Sequence, residues 1–303
     1  MKSNYNAHLA LLGANTIYGL NYVIAKGIMP DHLLPKAIIF LRVSVTVLIF
    51  IFLHFLLPKE KVEKRDLFKL ALSAFFGVAI NQLLFFEGLN LSTPINASII
   101  ITVIPVLVLI FSHFLLKEKI TTLKVTGIVS GAAGALIIIF SAGVGDFRSS
   151  TMLGNLLIFI NATSWALYLV LIKPLMEKYE SITVMKWLFF FGLIIIAPFT
   201  LKTFISSDFA SIPLTIWMSI AFVVFGATII AYFLNNYSLK YVSPNINTIY
   251  IYLQPLIASV VAILYGKDDL TVFKVIAAIL IMTGVFLVTR GRKKSIFPAD
   301  SRE

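Results

Sequence analysis

Residues 88–138 read GLNLSTPINASIIITVIPVLVLIFSHFLLKEKITTLKVTGIVSGAAGALII, and 150 positions later residues 238–288 read SLKYVSPNINTIYIYLQPLIASVVAILYGKDDLTVFKVIAAILIMTGVFLV. Aligned without a gap, ten pairs are identical: Leu89/Leu239, Pro94/Pro244, Ile99/Ile249, Ile101/Ile251, Pro105/Pro255, Lys117/Lys267, Thr121/Thr271, Lys124/Lys274, Val125/Val275 and Gly134/Gly284. Isoleucine and leucine matches carry little weight between two apolar segments. Two prolines in register, followed by matching Lys, Thr and Lys, carry much more. The preceding parts correspond more loosely, with Thr16, Leu20, Val23 and Lys26 matching Thr163, Leu167, Val170 and Lys173, and Tyr18 opposite Trp165. The chain is therefore expected to hold two repeats, residues 1–143 and residues 144–303 with a basic tail.

The rest of the chain resembles the repeat in character. Of 303 residues 59% are apolar, only 13% are charged, and mean hydropathy is +0.96. Soluble domains are about 45–50% apolar. The charges crowd into short clusters between apolar runs at 8–26, 37–57, 68–88, 94–116, 123–141, 152–172, 184–201, 212–236, 244–266 and 271–289, each long enough to span a bilayer. The fold class expected is an all-α polytopic membrane protein of ten transmembrane helices, since a lipid-exposed backbone must satisfy its own hydrogen bonds. The first run is too long for a signal peptide, carries Asn15 and Asn21, and lacks a small-residue cleavage site before Lys26. The connectors are too short for a soluble catalytic domain. Cysteine is absent, which excludes disulfides, thiolate metal sites and cysteine nucleophiles.

Basic loops resist translocation, so Lys and Arg orient the chain. With the N-terminus inside, inside segments hold 17 basic residues and outside segments six, which places both termini in the cytoplasm. Five spans per repeat is an odd number, so the second repeat enters the membrane the opposite way round and the two form an inverted pair. Lys117-Glu118-Lys119 facing inside corresponds to Lys267-Asp268-Asp269 facing outside, with the net sign exchanged. The net charge of +11 then reflects basic loops beside anionic lipid, not nucleic-acid binding, and the run 290–294 reads as a stop-transfer anchor.

Polar side chains in hydrocarbon need partners, so polar residues at helical spacing mark inward faces. Asn15, Tyr18 and Tyr22 fall at i, i+3, i+7 in the first span; Asn161, Ser164 and Tyr168 repeat that spacing in the sixth, flanked by Trp165. The third span offers Asn81 and Gln82, the fourth Asn96 and Thr102, the eighth Tyr232 and Asn235, and the ninth Thr248 and Tyr252 on a 3–4–3–4 stripe. Together these are the candidate cavity residues, against the alternative that each merely bonds one helix to another at about 0.6 kcal/mol and at most about 2. Arg42 is the most deeply placed ionisable group: it could neutralise a carboxylate, pair with Glu87, or bond to carbonyls freed at a proline. Pro105 and Pro255 each remove a helix donor and are candidate hinges. Glu87 is the candidate for proton coupling. Gly127, Gly131 and Gly134 give the fifth span a small-residue face for close packing within a monomer or across a weak homodimer.

Tyr18-Gly19-Leu20-Asn21, Arg42, the stretch from Gly88 through Pro94 and Pro105 to Lys117-Glu118, Trp165-Ala166-Leu167-Tyr168, and Leu239 through Pro244 to Pro255 carry a resemblance to the drug/metabolite transporter superfamily, specifically its ten-span EamA-type branch. The family usually has Trp where Tyr18 stands and commonly Glu at Asp268. The resemblance implies alternating access around a central cavity lined by spans 1, 3, 4, 6, 8 and 9. It implies export of small metabolites such as amino acids from a bacterial cytoplasmic (inner) membrane, with the bilayer and a small-molecule solute as partners and no cofactor or metal. Drugs or nucleotide sugars fit an uncharged polar and aromatic lining less well. A non-transporting sensor or a lipid scramblase on the same fold is the rival reading. A lipid-modifying enzyme would need clustered His, Asp or Glu that this chain lacks.

Overall fold

The computed structural model describes residues 2–56, 60–141, 150–257 and 272–290. Among them the chain is helical with no strand: α1 Lys2–Ile28, α2 Pro35–Leu56, α3 Lys64–Leu91, α4 Pro94–Ile101, α5 Ile104–Leu116, α6 Thr122–Ser141, α7 Ser150–Lys178, α8 Ser181–Ile205, α9 Leu214–Leu239, α10 Pro244–Ile249 and α11 Val272–Arg290. Five helices are long and apolar enough to cross a membrane, namely α2, α3, α7 from Met152, α8 and α9, and α5 and the core of α11 are shorter apolar helices. Large apolar side chains such as Phe55, Phe68, Phe114, Met152, Leu214 and Phe273 lie exposed around the bundle. So much exposed apolar surface is expected only where lipid covers it.

The run at 94–116 is not one helix. It breaks at Thr102 and Val103 into α4 and α5, because Pro105 has no N–H for the carbonyl of Ile101 and its ring crowds that carbonyl. The corresponding run, expected over 244–266, breaks at the equivalent place. A 3₁₀ turn at Tyr250–Tyr252 follows α10 and helical backbone resumes through residue 257, the remainder of that run lying outside the described residues. The α3 and α9 helices carry matching irregularities, π-helical at Phe75–Ile80 and at Phe222–Ile230.

The packing partners obey the repeat. The helices α6 and α11 pack together, as do α2 and α8, α3 and α7, and α1 and α9; exchanging the repeats maps the last two pairs onto each other. In the α6–α11 contact a Cβ added at Gly284 would lie 2.6 Å from the carbonyl oxygen of Gly127, and one added at Gly134 would lie 2.7 Å from that of Ala277. Residue 127 thus meets 284 while 134 meets 277, so the two equivalent helices run antiparallel. Midway between, Ser130 Oγ donates to Leu280 O at 2.9 Å. The small-residue face of α6 is spent on this contact within the chain, with Gly131 accommodating the Tyr252 ring.

Equivalent lysines also do equivalent work. Lys26 Nζ donates to Leu89 O at 3.0 Å and Asn90 O at 2.7 Å, and Lys173 Nζ donates to Leu239 O, so each lysine sits on the last carbonyls of α3 or α9. Cations are favoured at such helix ends. Where α3 begins and α7 ends, the buried Asp66 carboxylate accepts from Lys69 at 2.8 Å, Lys178 at 2.7 Å and the Tyr179 hydroxyl at 2.9 Å. Glu118 accepts from Lys124 at 2.7 Å and from Asn245 at 2.9 Å, and both clusters tie the first repeat to the second.

The α6–α11 contact makes a prediction. Gly284→Ala forces two backbones apart and should lower stability by about 1–3 kcal/mol in detergent melts. Gly27→Ala, whose Cβ meets nothing within 4 Å, should leave the midpoint unchanged or raise stability by up to about 1 kcal/mol.

Candidate functional site

Polar stripes from α1, α3, α7, α9 and the segment after α10 converge on a cavity of about 80 Å³ between the repeats. At about 10–15 Å³ for one water in this measure, it holds several waters or one small solute. The first repeat contributes Asn15, Tyr18, Asn21, Tyr22, Arg42, Asn81, Gln82, Phe85, Ile101 and Ile104 to its wall, and the second contributes Asn161, Trp165, Tyr232, Asn235, Ile251 and Gln254.

The wall is built from two hydrogen-bonded frames. Tyr22 donates to Gln254 Oε1 at 2.9 Å and Gln254 Nε2 donates to Asn15 Oδ1 at 2.9 Å, joining α1 to the segment after α10. Gln82 Nε2 donates to the Tyr232 hydroxyl at 2.9 Å, a bond between residues 150 apart in sequence and equivalent in the repeat. Tyr232 Oη lies 3.0 Å from both Gly77 O and Asn81 Oδ1, and Asn161 Nδ2 donates to Asn81 O at 2.8 Å. An aromatic cluster fills the corner between the frames. Tyr18 meets the Trp165 and Tyr232 rings edge-on, each at 6.4 Å between centroids, and Trp165 meets Tyr232 at 5.1 Å. Tyr18 and Trp165 are themselves repeat equivalents, so the cluster straddles the local twofold.

Three wall atoms are buried without a partner among the described residues: the Tyr18 hydroxyl, Asn21 Oδ1 and Asn235 Nδ2. Buried polar atoms without partners are rare in proteins and mark places where a ligand or water completes the bonding. Arg42 is 3% exposed. Its Nε donates to Thr228 Oγ1 at 2.6 Å, and its guanidinium carbon lies 4.7 Å from the centre of the Phe86 ring. It does not pair with Glu87, whose side chain is half-buried and off the cavity wall.

Of the residues read from polar spacing, six lie off this wall. Ser164 donates to Phe76 O at 2.7 Å, Tyr168 donates to Asn236 Oδ1 at 2.6 Å, and Thr248 bonds back to Pro244 O at 3.0 Å. Asn96 is buried within α4, Thr102 sits at the α4–α5 break, and Tyr252 packs against Gly131. The 3₁₀ turn explains the ninth-span shift. Each 3₁₀ residue advances about 120° round the axis instead of about 100°, so the turn at Tyr250–Tyr252 rotates the stripe; Ile251 and Gln254 line the cavity and Tyr252 packs against Gly131. Pro255 was the signal for that shift, because it forces the irregular turn. The apolar wall members Phe85, Ile101 and Ile104 carried no polar signal; the last two flank the break before Pro105.

The comparisons with known proteins agree with this architecture. The EamA-like transporter family matches residues 6–140 and again residues 152–290. Uncharacterized transporter YyaM of Bacillus subtilis (strain 168) is 26% identical over 288 residues, covering 92% of each chain. WAT1-related protein At3g18200 of Arabidopsis thaliana is 26% identical over 266 residues, covering 78% of this chain and 69% of that one. A solved crystal structure shares the fold with a TM-score of 0.74 over 95% of this chain and 96% of that chain at 18% identity. A polytopic membrane transporter is the class these features define. The chain belongs to the EamA-like transporter family, within the drug/metabolite transporter superfamily.

The frame that joins equivalent residues gives a prediction. In a double-mutant cycle of Gln82→Ala and Tyr232→Phe, measured by unfolding in detergent, the coupling energy should be about 0.6 kcal/mol and no more than about 2. Strict additivity would mean that this bond is not made.

Proposed function

We propose that this protein is a secondary transporter that exports small metabolites such as amino acids by alternating access. The observation that carries the reading is the polar cavity at the junction of two repeats whose equivalent residues meet across it. In this reading the chain forms ten spans as two five-helix units, residues 1–143 and 144–303, threaded through the membrane in opposite senses with both termini in the cytoplasm. Such a pair has two arrangements of nearly equal energy, related by exchanging the roles of its halves, and each opens the cavity to a different side. A bacterial cytoplasmic membrane, a monomer or weak homodimer, and outward transport are parts of the same proposal.

The geometry supports specific roles. The amide and hydroxyl groups of Asn21, Asn235 and Tyr18 offer hydrogen bonds to a polar cargo, while Trp165, Tyr232 and Phe85 cover an apolar body. Pro105 and Pro255, each following a break in the helix, are proposed hinges because no intrahelical bond need be broken there to bend. The ion pairs of Asp66 with Lys178 and the bond of Asn245 to Glu118 join the repeats at one end of the bundle, and would part when that end opens. Glu87 is proposed for proton coupling only in that it is the sole acid read inside a span.

Counterflow tests the transport reading. Proteoliposomes preloaded with unlabelled amino acid should accumulate the labelled compound transiently, above equilibrium and above protein-free vesicles. A flat time course across the twenty amino acids, with protein verified as folded, would reject the amino-acid reading.

A further inference from the structure

Two lysines bridge the loosest seams among the helices that surround the cavity. The helix α1 meets α3, and α7 meets α9, much less closely than α1 meets α9 or α3 meets α7. Lys26 Nζ crosses the first seam to Leu89 O at 3.0 Å and Asn90 O at 2.7 Å, and Lys173 Nζ crosses the second to Leu239 O. Backbone N–H groups already cap the neighbouring carbonyls: Ser92 donates to Gly88 O at 2.8 Å, Lys240 to Tyr237 O at 3.1 Å and Tyr241 to Ser238 O at 2.9 Å. The last carbonyls of a helix have no partner within it. Each lysine takes those that the following chain leaves over.

The two bridges stand at opposite ends of the bundle. The helices α3 and α7 run antiparallel, since a Cβ added at Gly154 would lie 2.8 Å from Gly88 O, while Lys178 reaches Asp66 at 2.7 Å. Leu89 and Asn90 therefore lie at the end where α7 starts, and Lys173 lies at the end where α3 starts. Each bridge also flanks the cavity. Lys26 is one turn beyond Tyr22 and Leu89 one turn beyond Phe85; Leu239 is one turn beyond Asn235 and Lys173 two turns beyond Trp165.

Resting on the alternating-access reading, we propose that Lys26 and Lys173 are the two gate residues: each bridge holds one mouth of the cavity, and the two release in alternation. An ammonium on helix-end carbonyls suits a contact that is made and broken in every cycle. Both lysines stand at the end of an apolar run. Water there takes over the bonds of ammonium and carbonyl when they part, so that neither is left buried and unpaired. Equivalent lysines on inverted repeats supply one chemistry to both faces, as two arrangements of nearly equal energy require.

The chain has no cysteine, so Phe85→Cys puts a single thiol in the cavity wall for a membrane-impermeant maleimide, applied to intact cells and to inverted vesicles. Lys26→Met should raise the alkylation rate from outside by about tenfold, the order of one hydrogen bond to a charged group, without raising the rate from inside. Lys173→Met should do the reverse. Lys26→Arg and Lys173→Arg keep a donor cation and should hold the wild-type rates. The proposal is overturned if both methionine variants act on the same face, if either raises the rate from both faces, if neither acts in folded protein, or if the arginine variants behave like the methionine ones. Spin labels decide even if the lysine variants misfold. Labels at positions 27 and 91 span the first bridge and labels at 174 and 241 the second; each pair should show two distances, whereas 91 and 153, along the α3–α7 contact, should show one. A single distance across both bridges overturns the proposal. Counterflow with inert lysine variants would sink this proposal alone, whereas opposite-faced rate changes without counterflow would sink the transport reading and leave the gates standing.

Discussion

An amide or phenol side chain on a helix surrounded by hydrocarbon has more bonding groups than its own helix can satisfy, so it turns toward a neighbouring helix, and this constraint organises the bundle. Asn15, Tyr22, Gln82, Asn161 and Tyr232 each turn toward the junction of the repeats and bond across it. The opposite faces carry Phe, Leu and Val to the exterior. The cavity is what remains where those inward stripes meet and small residues elsewhere draw the helices tight. Its polar character is therefore a consequence of how the fold is stabilised, and the few atoms without a partner among the described residues are the part that stability does not explain.

The second organising fact is that the two repeats use the same local devices. A proline breaks the helix after Ile101 and the helix geometry changes before Leu253; π-helical turns occupy the same stretch of α3 and α9; a lysine caps the end of each of those helices. Irregular helix geometry exposes backbone groups that regular helices hide, and in a membrane it is tolerated only where protein or a cavity covers it. Both breaks border the cavity, through Ile101, Ile104 and Ile251. In the proposed alternating mechanism, these duplicated irregularities are the points at which the two halves would bend.

Much of this was readable in the sequence because the signals were periodic. The polar spacing at Asn15, Tyr18 and Tyr22, the offset of 150 and the small residues at Gly127, Gly131 and Gly134 each translate directly into a face or a contact. What escaped the reading did so for a physical reason. The ninth-span stripe assumed 3.6 residues per turn, and the 3₁₀ turn at Tyr250–Tyr252 rotated Gln254 into the wall and Tyr252 out of it. Ser164 and Tyr168 have the right spacing but found carbonyl and amide partners on α3 and α9 before reaching the cavity. Phe85 and Ile104 are apolar members of a polar wall, and composition alone does not distinguish them from core.

The central claim is that the second repeat threads the membrane opposite to the first. Because the chain has no cysteine, single cysteines at positions 117 and 268, equivalent within one residue, can be labelled in intact cells with a membrane-impermeant maleimide without background. Labelling from outside at position 268, with position 117 reactive only after the membrane is permeabilised, is the result this account predicts. Reaction of both positions from the same side would contradict it.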